Sequence, residues 1–161
     1  MLNVPDFKQN RYFTCSPVCL RMVLAYWKYE ADEVSLSIQC GTTVFGTAAK
    51  QVVAAAQHLG FQGEYQFHCN YSFLRRTLQK GVPPIVSIDP NLLYEQLQRI
   101  YARHVIVVLE ITKNNIVIHD PDVGTNLRVD PAIFKKSWSA SQNEVILVWP
   151  KSKAFTLKSK K

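Results

Sequence analysis

The hydrophobic pattern of this chain changes near Val82, and this change restricts the folds that the chain can adopt. Before Val82, apolar residues recur at the spacing of a buried helix face, most clearly in residues 15–29. After Val82 they form short β-branched runs, and Lys113-Asn114-Asn115 lies between two of these runs as a hairpin signal. Helices followed by strands predict an α+β fold, with an N-terminal helical half packed on a C-terminal antiparallel sheet.

Capping and turn residues predict where the elements begin and end. Thr14 or Ser16 can cap the first helix. Asn70 or Ser72 can begin a short third helix, which Gly81 ends. The predicted helices lie at about 15–29, 47–59, 71–79, 90–101 and 130–138, and the predicted strands at about 84–88, 104–111, 116–118, 126–129 and 144–149.

Length and charge limit the classes of function. The 161 residues predict one domain at 1–150, followed by a basic, flexible tail at 151–161. The net charge is +7, but the tail holds five of the 19 Lys and Arg residues and the others are scattered, so we do not expect nucleic-acid binding. No apolar run reaches the ~18–20 residues of a membrane span. The N-terminal residues show no basic region followed by an apolar stretch, so we expect no secretory signal. We therefore expect a cytoplasmic protein.

The four cysteines, at positions 15, 19, 40 and 69, are expected to be reduced thiols rather than a disulfide framework. Their spacing does not match a structural metal site, and we expect neither a metal nor another cofactor. Cys15 differs from the other three because it lies where the first helix begins. The positive end of the helix dipole favours a thiolate, which is the nucleophilic form. Cys15 is therefore the candidate nucleophile.

A cysteine nucleophile needs a base, and the chain offers four histidines. His58 lies in the last turn of the second predicted helix, where a capping role explains it. His68 lies in a short extended stretch. His119 precedes Asp120, but adjacent strand residues point to opposite faces of a sheet. His104 opens a strongly apolar strand at its boundary with a loop, and the residues alone leave the choice among the four open.

The segment that runs from Gln9 through Thr14-Cys15-Ser16-Pro17 into the first helix resembles the signature of the bacteriocin-processing cysteine peptidases. These are papain-like domains that remove double-glycine leader peptides, often as the N-terminal part of an ABC exporter. The likeness continues in the family's order and spacing up to about residue 149. It passes through residues 41–46, 55–61, 74–86, 104–108, 118–124 and 134–138.

The resemblance implies a role for each of four residues. Cys15 would be the nucleophile and His104 its general base, and Asp120 would orient the imidazole of His104. Gln9 would donate a side-chain N–H to the oxyanion, alongside the backbone N–H of Cys15. The family usually carries an acidic residue before the cysteine and a glycine after it, whereas this chain has Thr14 and Ser16.

The hairpin register sets a geometric condition on this site. If Asn114-Asn115 form a two-residue turn, residues 113 and 116 pair and His104 lies opposite residue 125, five residues beyond Asp120. A β-bulge or a bend in the strand would have to close that gap.

The resulting hypothesis is a thiol peptidase that hydrolyses a peptide bond through a Cys-His-Asp triad, after small residues such as Gly-Gly or Gly-Ala of a leader peptide. Its expected partners are a peptide or protein substrate and a separate peptide exporter. Two alternatives stay open at this point: a peptide-binding module without catalysis, and an enzyme that transfers the acyl group to an amine on the same fold.

Overall fold

The computed structural model describes residues 1–94 and 103–155. Its helices are α1 (Cys15–Tyr26), α2 (Glu33–Gln39), α3 (Ala49–His58), α4 (Tyr71–Gln79), α5 (Pro90–Leu93) and α6 (Pro131–Ala140). Its strands are β1 (Phe61–Gln66), β2 (Ile85–Ile88), β3 (His104–Ile111), β4 (Ile116–Asp120), β5 (Gly124–Val129) and β6 (Val145–Pro150).

The six strands form one antiparallel sheet in the order β1-β6-β2-β3-β4-β5. The last strand of the chain, β6, thus lies between β1 and β2. Residues of α1, α2 and α3 pack in one apolar cluster with one face of the sheet, and residues of α4, α5 and α6 pack in a second cluster with the other face. The predicted α+β class with an antiparallel sheet is confirmed, and helices cover both faces of that sheet rather than one.

Local signals placed some elements accurately. The side chain of Asn70 accepts a hydrogen bond from the backbone N–H of Phe73 at 2.8 Å, which caps α4. Gly81, just beyond the end of α4, has a φ of +70°, a conformation that glycine adopts without strain. The strand predicted at 104–111 has the predicted bounds as β3. These elements depend on residues within a few positions of their own ends.

Other elements differ from the prediction. The first helix ends at Tyr26 instead of about residue 29, and Lys28 follows with a φ of +65°. Helix α2 and strand β1 were not predicted, because α2 has only seven residues and β1 is an edge strand interrupted by Gly63. Of the helix predicted at 90–101, the structure shows α5, and residues 95–102 lie outside the described residues.

The prediction of a flexible tail concerns residues 151–161, of which 156–161 lie outside the described residues. In the described part, the Phe155 ring lies 4.8 Å from the Trp149 ring, between centroids. No helix in residues 1–94 and 103–155 combines the length and the apolar character that a membrane crossing requires.

Candidate active site

Cys15 is the first residue of α1, as predicted, but the capping of this helix differs from the prediction. Thr14 occupies the N-cap position, yet its hydroxyl makes no capping bond. It donates instead to Glu33 Oε1 at 2.6 Å, with the Arg11 carbonyl 2.9 Å away. The hydroxyl of Ser16 also points elsewhere, towards the Thr47 carbonyl at 3.5 Å. A side-chain cap therefore does not take up the N–H groups at the start of α1, which lie next to the Cys15 thiol.

His104 and Asp120 are in direct contact. His104 Nε2 lies 2.8 Å from Asp120 Oδ1, and both residues are about 2% exposed. A carboxylate only accepts hydrogen bonds, so Nε2 carries a proton and Nδ1 is the nitrogen that can face Cys15. The Cys15 thiol lies close enough to the His104 side chain to contribute to raising the pKa of its imidazole. The structure therefore brings three of the four predicted site residues together.

The hairpin reaches this geometry in two steps. The turn spans residues 112–115, because Ile111 pairs with Ile116, so it has four residues rather than the two considered from the sequence. Between Val108 and Glu110 the register shifts by one further residue. From the Val107–His119 pair onward, His104 lies opposite residue 122. Asp120 is then two residues away on the neighbouring strand, which makes it a diagonal neighbour on the same face.

Four donors hold the carboxylate of Asp120. Besides His104, the backbone N–H groups of Asp122 and Val123 donate to Oδ1 at 2.8 and 3.1 Å. The hydroxyl of Tyr94 donates to Oδ2 at 2.7 Å. These bonds fix the position of the carboxylate, so Asp120 can orient the imidazole without relying on His104 alone. Tyr94 lies in the segment predicted only as helical, and no spacing in the sequence links it to Asp120.

The electrostatics favour a protonated His104. Burial lowers the pKa of its imidazole, but the hydrogen bond and charge of Asp120, together with the interaction with Cys15, outweigh burial and raise the pKa to about 9. At neutral pH the imidazole therefore carries a positive charge beside the Cys15 thiol. Such a charge stabilises a thiolate, which is the form that attacks a carbonyl carbon.

The other three cysteines have different surroundings. Burial, followed by the charges of Cys15 and Asp120, raises the pKa of the Cys19 thiol, which donates to the Val105 carbonyl at 3.3 Å. Burial raises the pKa of Cys40 and of Cys69 to about 11. All four cysteines are free thiols, and among the described residues Cys15 is the one that raises the pKa of a histidine.

Gln9 lies on the loop that leads to Cys15. Its backbone N–H donates to the Pro121 carbonyl at 2.8 Å, which ties this loop to the residue after Asp120. The Gln9 side chain is 8% exposed, and its Oε1 has no hydrogen-bond partner in the described part of the chain. The Gln9 side chain is thus held inside the protein without a hydrogen bond to Oε1 from the described residues.

The remaining histidines lie apart from this site. His119 Nε2 lies 2.9 Å from the Val4 carbonyl, and its Nδ1 accepts from the Asn126 backbone N–H at 3.1 Å. Its imidazole is therefore a neutral structural group that fastens the N-terminal segment to β4. His58 ends α3 and is exposed, and His68 has a φ of +55° between β1 and α4.

Two cavities adjoin Cys15. The smaller, of about 80 Å³, is walled by Val105, Ile146 and the 45–49 segment and has Ser87, Arg103 and Glu144 along one side. The larger, of about 460 Å³, runs over the 12–13 and 44–46 segments. The Glu144 carboxylate is almost fully buried and binds both Ser87 Oγ and the Arg103 guanidinium. The two cavities share Cys15, Phe45, Gly46 and Arg103 in their linings, so both open beside the thiol.

Glu33 is a further polar residue that the sequence did not indicate. It begins α2, is 6% exposed and accepts hydrogen bonds from the loop before Cys15. In the described residues, no three His, Cys, Asp or Glu side chains lie close enough to hold a metal ion. The expectation that no metal or cofactor takes part stays a prediction.

Comparison with known sequences gives two matches. A model of the peptidase C39 family matches residues 3–153. The pediocin PA-1 transport/processing ATP-binding protein PedD of Pediococcus acidilactici is 26% identical over 140 residues, which are 82% of this chain and 18% of that protein. The chain therefore spans less than a fifth of the length of this curated relative.

Solved structures share the fold. The peptidase domain of Streptococcus ComA, a bifunctional ABC transporter involved in a quorum-sensing pathway, has a TM-score of 0.74 at 22% identity, over 90% of this chain and 97% of that one. A double glycine motif protease from an AMS/PCAT transporter, in complex with the leader peptide, has a TM-score of 0.72 at 21% identity, over 92% and 93%.

Proposed function

Because the chain belongs to the peptidase C39 family, we propose that it is a cysteine peptidase that hydrolyses a peptide bond through an acyl-enzyme on Cys15. The observation that carries this proposal is the 2.8 Å contact between His104 and Asp120, made by an imidazole whose pKa is also raised by the thiol at the start of α1. A nucleophile, a base and an orienting carboxylate in this order are the parts that acyl transfer requires.

The chemical steps follow from this arrangement. The Cys15 thiolate attacks the carbonyl carbon, and the oxyanion that forms accepts hydrogen bonds from the Cys15 backbone N–H and the Gln9 side-chain amide. The imidazolium of His104 gives its proton to the leaving nitrogen as the C–N bond breaks, leaving a thioester. His104 then takes a proton from water, the hydroxide attacks the thioester, and the C–S bond breaks to release the acid and the thiolate. Asp120 holds the imidazole throughout.

We further propose that the substrate has small residues before the scissile bond, such as Gly-Gly or Gly-Ala of a leader peptide. The cavities at Cys15 support this, because the one lined by Val105 and Ile146 is much the smaller of the two, at about 80 Å³ against about 460 Å³. The names of the relatives point in the same direction, since one is a transport/processing protein and another was solved with a leader peptide. A separate exporter is the partner that such a substrate implies. The expected cytoplasmic location and the absence of nucleic-acid binding stay predictions.

The test is incubation with a mixed peptide library that contains Gly-Gly and Gly-Ala junctions, read by mass spectrometry. We expect hydrolysis after the small pair by the wild type and by Cys69→Ala, a matched control on the other face of the sheet, and no cleavage by Cys15→Ala. Amine-adducted products would indicate acyl transfer instead. Binding without cleavage by any of these proteins would indicate a peptide-binding module and refute the proposal.

A further inference from the structure

We propose that Glu33 is a positioning residue for the oxyanion site, an inference that rests on the proposed function. Its carboxylate holds the loop between Gln9 and Cys15 in the shape that aims the oxyanion donors. Glu33 lies on α2, 18 residues after Cys15, and its side chain does not belong to the triad.

Within residues 1–94 and 103–155, the hydrogen bonds that the Glu33 carboxylate accepts come from this one loop. The Asn10 backbone N–H donates to Oε1 at 3.0 Å and to Oε2 at 3.2 Å, and Asn10 Nδ2 donates to Oε2 at 2.7 Å. The Thr14 hydroxyl donates to Oε1 at 2.6 Å. Asn10 follows Gln9 and Thr14 precedes Cys15, so the two anchored residues lie immediately inside the two residues that would supply oxyanion donors.

The carboxylate is suited to this task in a way that a neutral side chain is not. A buried carboxylate is costly unless donors surround it, and in the described residues Glu33 is compensated by these hydrogen bonds rather than by a cation. Its two oxygens accept from both ends of the loop at once. The Asn10 backbone N–H faces both carboxylate oxygens, so a glutamine amide in either orientation would place its own N–H against that donor and weaken the hold on Asn10.

A second contact holds the loop at its Gln9 end. The Gln9 backbone N–H is bonded to the Pro121 carbonyl, beside Asp120. The loop is thus fixed to the triad through Pro121 and to α2 through Glu33. Because the Gln9 amide itself has an Oε1 without a partner in the described residues, its aim depends on how the backbone around it is held.

The experiment uses Glu33→Gln, with Glu30→Gln as the matched control, since Glu30 is exposed three residues earlier. We expect Glu33→Gln to lower kcat about 10- to 100-fold, with KM changed less than about threefold. This loss of kcat is smaller than the one expected when an oxyanion donor is removed outright. Alkylation of Cys15 by iodoacetamide needs the thiolate but forms no oxyanion, so its rate should stay within about threefold. The Gln9→Ala and Glu33→Gln losses should combine less than multiplicatively.

Three results would overturn the inference: a folded Glu33→Gln protein with at least half the wild-type kcat, a parallel loss of alkylation, or fully multiplicative losses with Gln9→Ala. If circular dichroism shows that Glu33→Gln does not fold, Asn10→Ala carries the same test, because it removes only the Nδ2 bond and should give a smaller loss of the same kind. If the wild type hydrolyses no peptide, the proposed function fails. The affinity of acetyl-Gly-glycinal for Cys15, whose adduct places an oxygen among the same donors, then still reports on Glu33.

Discussion

Replacing Asp120 by asparagine tests the electrostatic basis of the site. Asp120 raises the pKa of His104 both as a hydrogen-bond partner and as a charge, and the resulting value is about 9. The ordinary pKa of a histidine is about 6.5, so the difference corresponds to about 3 kcal/mol in favour of the imidazolium in the folded protein. His104 is 2% exposed, so solvent screens this contribution little.

The sign of the pH dependence follows from the direction of this pKa. Between about pH 6.5 and 9 the folded protein binds a proton at His104 that the unfolded chain has lost, so the free energy of unfolding falls as the pH rises. The contribution of His104 is complete below about pH 6.5 and is lost above about pH 9. In Asp120→Asn the pKa of His104 falls, so the variant should be destabilised more at pH 6 than at pH 9, by about 1–3 kcal/mol.

Urea unfolding at a series of pH values measures this difference, and a titration of His104 by NMR measures its pKa directly. The alkaline limb of the kcat/KM profile should lie near pH 9 in the wild type and at lower pH in the variant, whose kcat should fall about 10²- to 10⁴-fold. Asp6→Asn is the control, because it makes the same change of charge at an exposed residue. Asp6 and Asp120 both line a cavity that is separate from the two at Cys15. An equal pH slope and an unmoved alkaline limb in Asp120→Asn would refute the reasoning.

Three further predictions concern neighbouring residues. Tyr94→Phe removes one donor to Asp120, so we expect a roughly 3- to 10-fold loss of kcat with KM unchanged in steady-state kinetics, and an unchanged kcat would contradict it. His119→Ala removes the bonds to Val4 and Asn126, so thermal melting should show about 1–3 kcal/mol of destabilisation while kcat at a permissive temperature stays within about twofold; a large loss of kcat would make His119 catalytic. Cys19→Ala should leave the rate of Cys15 alkylation within about threefold, as measured by mass spectrometry, because the raised pKa keeps Cys19 neutral; loss of that reactivity would show that Cys19 activates Cys15.

The sequence predicted those parts of the fold that depend on near neighbours. Asn70 and Gly81 lie next to the ends of α4, and their chemistry alone places that helix. The apolar run of β3 is likewise visible in the sequence, so His104 could be placed at the start of a strand. Its contact with Asp120 could be proposed only from resemblance, because it depends on a turn length and a β-bulge that no residue pattern specifies.

Contacts across long sequence separations explain the remaining differences. Thr14 is a residue type that often caps helices, but its hydroxyl is bonded to the carboxylate of Glu33, 19 residues away, and makes no capping bond to α1. This also bears on the departure from the family at position 14, because the residue that replaces the usual acid is hydrogen-bonded to an acid from α2. Tyr94 is 26 residues from Asp120, and periodicity carries no information about a contact at that range.

The bulge between Val108 and Glu110 has a consequence for how this chain can change in length. Side chains alternate between the two faces of a strand, so a register shift of one residue turns every side chain beyond it to the other face. Deleting Leu109, the extra residue of the bulge, would leave Val108 opposite Ile118 and Glu110 opposite Val117, so His104 would keep its position relative to Asp120. Deleting Ile106 instead would shift His104 by one residue along β4 and turn its side chain to the other face of the sheet, away from Asp120. We therefore expect the first deletion to preserve the triad and the second to abolish activity. The number of residues between the bulge and His104 is thus fixed, whereas the bulge itself can lose its extra residue.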